Sequence, residues 1–157
     1  MARKMKDSGI EWIGEIPEGW SKNKCLRLFN VIGSGTTPKS LVSDESPSIN
    51  WIQSGDINGT LLFSCKNTIS ESTFSQYSAL KTYSAPFIII AMYGASIGNI
   101  SISFIDGCVN QACCVLSVPL CNLDYAFYAI KSAQFYLVQK AVGGGQPNIS
   151  QDTIKQL

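Results

Sequence analysis

The chain has 157 residues, of which 45% are apolar, enough for one ordinary domain with a core and too few for two full domains. Its 12 basic and 11 acidic residues give a net charge of +1, which excludes a strongly basic tail and an acidic disordered chain. The sequence contains no histidine, so Ser-His-Asp and Cys-His catalysis and histidine metal ligands are excluded.

The first predicted elements lead into a long polar loop. Apolar residues between Ile10 and Trp20 are separated by turn residues, which predicts an extended strap. Residues 25–32 (CLRLFNVI) fit either a strand or a short helix. Residues 33–48 hold two glycines, two prolines and few apolar side chains, which predicts an exposed loop. Loops of this length are often functional.

Short elements are predicted in the next third of the chain. Residues 49–53 (INWIQ) read as a strand that ends at Ser54-Gly55-Asp56. Asn58-Gly59 is a strong turn signal, and with the following LLF it predicts a hairpin. Thr68 and Glu71 have the spacing of a capping box, which predicts that a short helix begins there.

Three apolar runs predict one sheet. Residues 86–92 (PFIIIAM) are bounded by turn residues and rich in β-branched side chains, as in a strand buried on both faces. Residues 97–104 and 112–118 supply two further strands. We expect the strand at 86–92 to be central.

The C-terminal part predicts helices. Apolar residues recur at helical spacing from Leu123 to Ala141, with Asn122 placed as the cap and residues 143–145 (GGG) as the end. Ser150 is placed to begin a further helix. The first helix carries aromatic residues that we expect in the core rather than on a base-stacking surface: Tyr125, Phe127, Tyr128, Phe135 and Tyr136.

The cysteines and the apolar runs indicate the compartment. Six cysteines include no C-x-x-C pair, so they predict small buried thiols in a reducing compartment rather than a metal or redox site. The N-terminus has no apolar signal segment, and the longest apolar run, Phe87–Met92, is far too short to span a membrane. We expect a cytoplasmic protein without a membrane partner.

One glycine-rich motif leaves a nucleotide-binding alternative open. Residues 33–40 (GSGTTPKS) begin and end like a phosphate-binding P-loop, but Pro38 replaces the second glycine. Proline lacks the N–H that would bind phosphate. The sequence also has no (N/D)PP(Y/F) methyltransferase motif and no paired carboxylates, so it predicts no enzyme and no metal site in this chain.

Polar loops between the apolar elements permit DNA reading. They are TTPKS, QSGDING, YGAS, VNQ and GGGQPN. Asn and Gln can read adenine edges, Lys and Arg can read guanine, and hydroxyl groups can hold phosphates. Six of the 12 basic residues lie in the first 27 positions: Arg3, Lys4, Lys6, Lys22, Lys24 and Arg27. Together with Lys39 and Lys66 they form either a phosphate-facing surface or an ordinary solvated surface.

The ordered set of segments resembles a known family. IEWIGEIPEGW, GSGTTPKS, INWIQSGDING, FIIIAMYGASIGNISI, CVNQACCVL and GGGQPNISQDTIKQL follow one another as in a target-recognition domain of the type I restriction-modification specificity (S) subunit. The resemblance implies an α+β fold with a curved, mostly antiparallel β-sheet and packed helices. It also implies a non-catalytic module that reads one half of a bipartite target in double-stranded DNA.

The resemblance further implies partners and cofactors. The partners are a modification methyltransferase subunit and a restriction/translocase subunit, and S-adenosylmethionine, ATP and Mg are used by those partners, with no cofactor in this chain. Residues 1–157 read as one recognition domain that stops where the family runs into a spacer helix, either as a fragment or as a half-sized protein. A scaffold that binds partners without DNA affinity stays an alternative, as does the nucleotide-binding domain.

Two groups of residues follow from the loops and the resemblance. Motif residues are expected to shape loops rather than choose bases: Gly35, Gly55, Asp56, Gly94, Gly98, Asn110, Gln111 and Pro147. Residues in the polar loops are the candidates for DNA contact: Thr36, Thr37, Lys39, Ser40, Gln53, Ser54, Asn58, Lys66 and Asn67.

Overall fold

A computed structural model describes residues 3–39, 48–143, 145 and 147–157. Its strands are β1 (Met5–Asp7), β2 (Glu15–Pro17), β3 (Phe29–Ser34), β4 (Ser48–Ile52), β5 (Leu61–Leu62), β6 (Asn67–Ser70), β7 (Phe87–Ala91), β8 (Ile100–Ser103), β9 (Cys108–Val109) and β10 (Cys113–Pro119). Its helices are α1 (Cys25–Leu28), α2 (Glu71–Gln76), α3 (Leu123–Ser132), α4 (Gln134–Gln139) and α5 (Gln151–Lys155), with a 3₁₀ turn at Ser54–Asp56. The α+β class is as predicted.

The strands form three sheets in which antiparallel pairs predominate. The largest has the order β3-β10-β7-β8-β5, the second has the order β6-β4-β9, and β1 and β2 form a hairpin. The three predicted apolar runs are indeed neighbours in one sheet, as β7, β8 and β10. β7 is central, and all five of its residues are buried. The parallel pairs are β5 with β8 and β4 with β9.

The five-stranded sheet has a core on each face. Ile88 and Ile90 of β7 pack with Phe127 of α3 and other residues of the helical layer. Phe87 and Ile89 point to the opposite face, in a cluster that reaches the second sheet. Alternate residues of a strand lie on opposite faces, so a run of β-branched residues serves both cores at once. A third cluster places α2 against the second sheet.

Several local predictions need correction. Residues 25–32 form both predicted elements, with α1 leading directly into β3. The short helix after Thr68 begins later, because Thr68 pairs with Asn50 in the ladder and Ser70 is the cap, accepting a bond from the backbone N–H of Thr73. Part of the predicted strap, residues 15–17, forms β2, which pairs with β1. The turn at Asn58-Gly59 exists, with Gly59 at φ +84°, but β5 pairs with β8 and makes no hairpin with β4.

The long C-terminal helix is divided, and its aromatic residues do not all enter the core. Asn122 caps α3 as predicted, but a turn at Ala133 separates α3 from α4. The stripe that faces the sheet consists of Ala126, Phe127, Ile130, Ala133 and Leu137. Tyr125, Tyr128 and Phe135 lie outside this stripe and are 56%, 68% and 74% exposed, so their predicted burial is wrong. Ser150 caps α5 as predicted.

The cysteines are free thiols, and burial suppresses their ionisation. Four are buried, at positions 25, 108, 113 and 114. Burial, together with charge on Cys121, raises the pKa of Cys25 to about 11. Burial alone raises the pKa of Cys108 to about 11. These thiols therefore remain protonated at neutral pH. Within the described ranges, no helix is long and apolar enough to cross a membrane.

Candidate nucleic-acid interface

The polar loops meet at one end of the five-stranded sheet. β10 and β8 run antiparallel to β7, so the carboxyl end of β7 lies beside their amino ends. β3 runs antiparallel to β10, which brings its carboxyl end to the same place. The segments that leave these strand ends therefore form one surface. We call it the loop face and define it as residues 35–39, 53–58, 66–67, 93–96 and 110–111.

The second sheet reaches the loop face through β4 and β9. The backbone N–H of Asn110 donates to the carbonyl of Ile52 at 3.0 Å, so Gln53 emerges beside the 110–111 turn. The indole Nε1 of Trp51 donates to the carbonyl of Thr36 at 3.3 Å. Two sheets and three loops are thus connected by hydrogen bonds.

Residues 35–39 are held by contacts from several elements. The hydroxyl of Thr37 donates to Oε1 of Gln111, and the backbone N–H of Lys39 donates to the hydroxyl of Tyr77 at 3.0 Å. Pro38 is buried. A Cβ added at Gly35 would lie 1.5 Å from the carbonyl oxygen of Val109, so only glycine fits this approach. The segment is fixed over the 109–111 backbone.

The same geometry bears on the P-loop alternative. Gly33 and Ser34 belong to β3, where they pair with Val115 and Cys114. A phosphate-binding loop needs free backbone N–H groups in a turn that precedes a helix. Gly35 instead faces a carbonyl oxygen, which repels phosphate. The described part of this segment therefore has no phosphate-binding turn.

Residues 53–58 form a second fixed segment. The carboxylate of Asp56 accepts the backbone N–H of Gln53 at 2.9 Å and that of Lys66 at 3.4 Å. Asn58 Oδ1 accepts the hydroxyl of Thr60 at 2.6 Å, and the side chain of Asn99 donates to the Ile57 carbonyl at 3.0 Å. Asp56 thus links this segment to Lys66, and Asn99 links it to the start of β8.

The candidate DNA contacts fall on this surface, apart from one that is not described. Ser40 lies outside the described residues. Thr37, Lys39, Asn58 and Lys66 are exposed. Four other candidates are half-buried, so only part of each side chain is open to a ligand: Thr36, Gln53, Ser54 and Asn67. DNA contact by these residues stays a prediction.

The structure adds residues that were not among the candidates for DNA contact. Gln111 accepts the hydroxyl of Thr37, and Tyr77 accepts the backbone N–H of Lys39. Burial raises the pKa of Tyr93, charge on Cys113 adds to the rise, and the Gln111 side chain opposes it. These contacts join positions far apart in the chain, and no local sequence signal could have found them.

Several motif residues have loop-shaping roles. Gly94 and Gly98 have φ values of +87° and +79°, which other residues rarely adopt. Asn110 Oδ1 accepts the backbone N–H of Ala112 at 3.1 Å and so closes the turn into β10. Gly55 has open space around it, and nothing in the structure explains its glycine.

Lys24 and Arg27 of the N-terminal basic group do not join the lysines of the loop face. Lys24 precedes α1 and Arg27 lies within it, and α1 leads into β3, so both residues lie at the opposite end of that strand from Ser34. Lys24 Nζ donates to Gln156 at 2.6 Å. Lys39 and Lys66 are the lysines of the loop face. Amides and hydroxyls, rather than dense positive charge, therefore characterise this surface.

The chain is similar to a known family and to solved structures. A model of the type I restriction modification DNA specificity domain family matches residues 17–157. A structure described as the basis of complex assembly and conformational transition of the type I R-M system has a TM-score of 0.72 at 13% identity. The superposition covers 98% of this chain and 35% of the chain in that structure. A comparison with curated proteins gives no match.

Two further solved structures have the same fold. The HsdS subunit from Thermoanaerobacter tengcongensis has a TM-score of 0.69 at 13% identity, covering 98% of this chain and 34% of that one. The type I restriction-modification S subunit from M. genitalium has a TM-score of 0.60 at 22% identity, covering 88% of this chain and 33% of that one. The chain thus spans about a third of the length of the structures that it matches.

Proposed function

The chain belongs to the type I restriction modification DNA specificity domain family, and on that basis we propose that it reads one half of a bipartite sequence in double-stranded DNA. The observation that carries this proposal is the loop face. Polar segments distant in sequence meet at one end of the sheet and are held there by hydrogen bonds. Base reading requires such fixed side chains, because a mobile side chain gives little discrimination.

The chemistry of the loop face fits base edges. Amide groups can bond bidentately to adenine, and hydroxyl groups can donate or accept at a base edge. Lys39 and Lys66 supply charge for nearby phosphates. Because the charge is modest, we expect the interface to rely on hydrogen bonds and shape more than on counterion release.

We propose that the chain has no catalytic role and directs partner subunits. The partners are a modification methyltransferase, which uses S-adenosylmethionine, and a restriction/translocase subunit, which uses ATP and Mg. The absence of histidine supports a non-catalytic role. So do the cysteines, because the pKa of every thiol is raised above its usual value, which disfavours a thiolate nucleophile. A protein that reads cellular DNA with these partners works in the cytoplasm.

The test is selection of random duplex DNA by the purified chain, alone and with the methyltransferase, at two salt concentrations. We expect one short sequence to be enriched, with affinity falling as salt rises. Enrichment only with the methyltransferase would mean that reading requires the complex. No enriched sequence in either arm would refute the proposal and favour the scaffold alternative.

Two lysine variants, one on the loop face and one outside it, test where DNA binds. Lys39→Ala should weaken binding evenly across sequences, because a phosphate contact carries no base information. Lys81→Ala is the matched control, since Lys81 is also exposed but lies outside the loop face. Equal losses from the two variants would move the interface away from the loop face.

A further inference from the structure

Gln111 is the residue on which the segment after β3 rests. Its backbone carbonyl accepts the hydroxyl of Ser34 at 3.2 Å, and its side-chain Oε1 accepts the hydroxyl of Thr37. Between these two anchors, Gly35 lies against the carbonyl of Val109. Both ends of a four-residue span are therefore bound to one residue of the neighbouring turn.

The Gln111 amide has a defined orientation. Its side chain also acts on the hydroxyl of Tyr93, where it opposes the rise in the pKa of that group that burial causes. An amide has its acceptor at one end and its donors at the other. With Oε1 engaged by Thr37, the amide NH₂ is the group that serves Tyr93. The amide is therefore held between two partners and presents its acceptor end to Thr37.

This orientation sets the hydrogen-bonding character of Thr37. A hydroxyl has one proton and two lone pairs. The proton of Thr37 is given to Gln111, so the exposed oxygen has only lone pairs left for a ligand. In the major groove, adenine N6 and cytosine N4 offer amino protons, whereas guanine O6 and thymine O4 offer only lone pairs.

We infer that Gln111 is a positioning residue that makes Thr37 a pure acceptor, so that Thr37 accepts a proton from the amino group that adenine or cytosine presents in the major groove. This inference rests on the proposed function, because it requires the loop face to contact DNA. It deepens that function by assigning one base class to one side chain. Gln111 acts through Thr37 and does not contact the base.

The experiment repeats the duplex selection with four variants, in the arm in which the wild-type chain enriches a sequence. Thr37→Val and Gln111→Met should each reduce the preference at the same single position by about three- to tenfold, the range of one hydrogen bond. The double variant Thr37→Val/Gln111→Met should lose no more than either single variant, because both remove the same interaction. Gln111→Glu should keep the preference, since a carboxylate oxygen also accepts the Thr37 proton.

The outcomes separate this inference from the proposed function. A wild-type chain that enriches no sequence overturns both. An unchanged preference in both Thr37→Val and Gln111→Met, while the wild-type chain enriches a sequence, overturns the inference alone. So do additive losses in the double variant, or loss of preference in Gln111→Glu. Thermal unfolding of each variant is the control, because a lower Tm with losses spread over all positions would indicate a merely structural role.

Discussion

Replacement of Gly35 by alanine tests whether the segment after β3 must lie directly on the 109–111 backbone. The added Cβ would be 1.5 Å from the Val109 carbonyl oxygen and 2.5 Å from its carbon, and neither backbone atom can rotate away. An ordinary contact is about 3.4 Å or more. The segment must therefore move by about 2 Å, a distance that breaks hydrogen bonds of normal length.

The cost follows from the bonds that such a shift breaks. Gln111 would lose the hydroxyls of Ser34 and Thr37, and the Trp51 indole would lose the Thr36 carbonyl. Each of the two Gln111 bonds contributes about 1 kcal/mol, and leaving the buried indole N–H without its acceptor costs about 1 to 3 kcal/mol. We expect Gly35→Ala to lower the free energy of unfolding by about 3 to 5 kcal/mol. For a chain of this length, that corresponds to a Tm lower by roughly 6–20 °C.

The assay is urea unfolding followed by circular dichroism, with Gly55→Ala as the matched control. Gly55 has no neighbour within 4 Å of an added Cβ and no left-handed φ. Alanine there should be neutral or stabilise by up to about 1 kcal/mol, because it restricts the unfolded chain. A Gly35→Ala variant within about 0.5 kcal/mol of the wild type, the usual range of harmless substitutions, would refute this account of the loop face.

Three further predictions concern stability. The fully buried hydroxyl of Ser101 has no hydrogen-bond partner among the described residues, so Ser101→Ala should raise the free energy of unfolding by about 1 kcal/mol. Ser103→Ala removes a bonded hydroxyl from the same strand and should lower the free energy of unfolding by a similar amount. Urea unfolding in which both variants change the free energy in the same direction would contradict this. Ser70→Ala removes the side chain that caps α2 by accepting the backbone N–H of Thr73, so we expect the free energy of unfolding to fall by about 1 kcal/mol. An unchanged Tm would disprove the capping role. Burial raises the pKa of Cys108 to about 11 from 9.0, so the contribution of this thiol to stability is constant below about pH 9 and falls above it, because the thiol ionises first in the unfolded chain. At pH 10 the free energy of unfolding should therefore fall by about 1 kcal/mol less in Cys108→Ala than in the wild type, and identical pH profiles would refute this.

Local patterns in the sequence were sufficient for several elements and for the family. The run of β-branched residues predicted the buried central strand β7, and Asn122 and Ser150 marked helix starts that the structure confirms. These signals work because strand burial and helix capping depend on residues within a few positions of one another. The ordered motifs predicted the family to which the chain belongs.

The sequence also indicated which loops carry polar groups, but it did not show how those groups are connected. Thr37, Asn58 and Lys66 were chosen because their loops are polar, and the structure places all three on the loop face. Gln111 was assigned only a loop-shaping role. Its bond with Thr37 joins residues 74 positions apart. Such a pairing follows from the order of strands in the sheet, which local patterns do not contain.

Tertiary structure alone decided the remaining features, because each depends on contacts between distant segments. The turn at Gly59 was predicted, yet β5 pairs with β8 instead of forming a hairpin, since strand partners depend on packing across the whole sheet. Tyr128 fits a helical pattern but is exposed, because the side of α3 that meets the sheet is determined by docking. The sequence thus determined the elements and the family, and tertiary packing determined which polar side chains the loop face presents together.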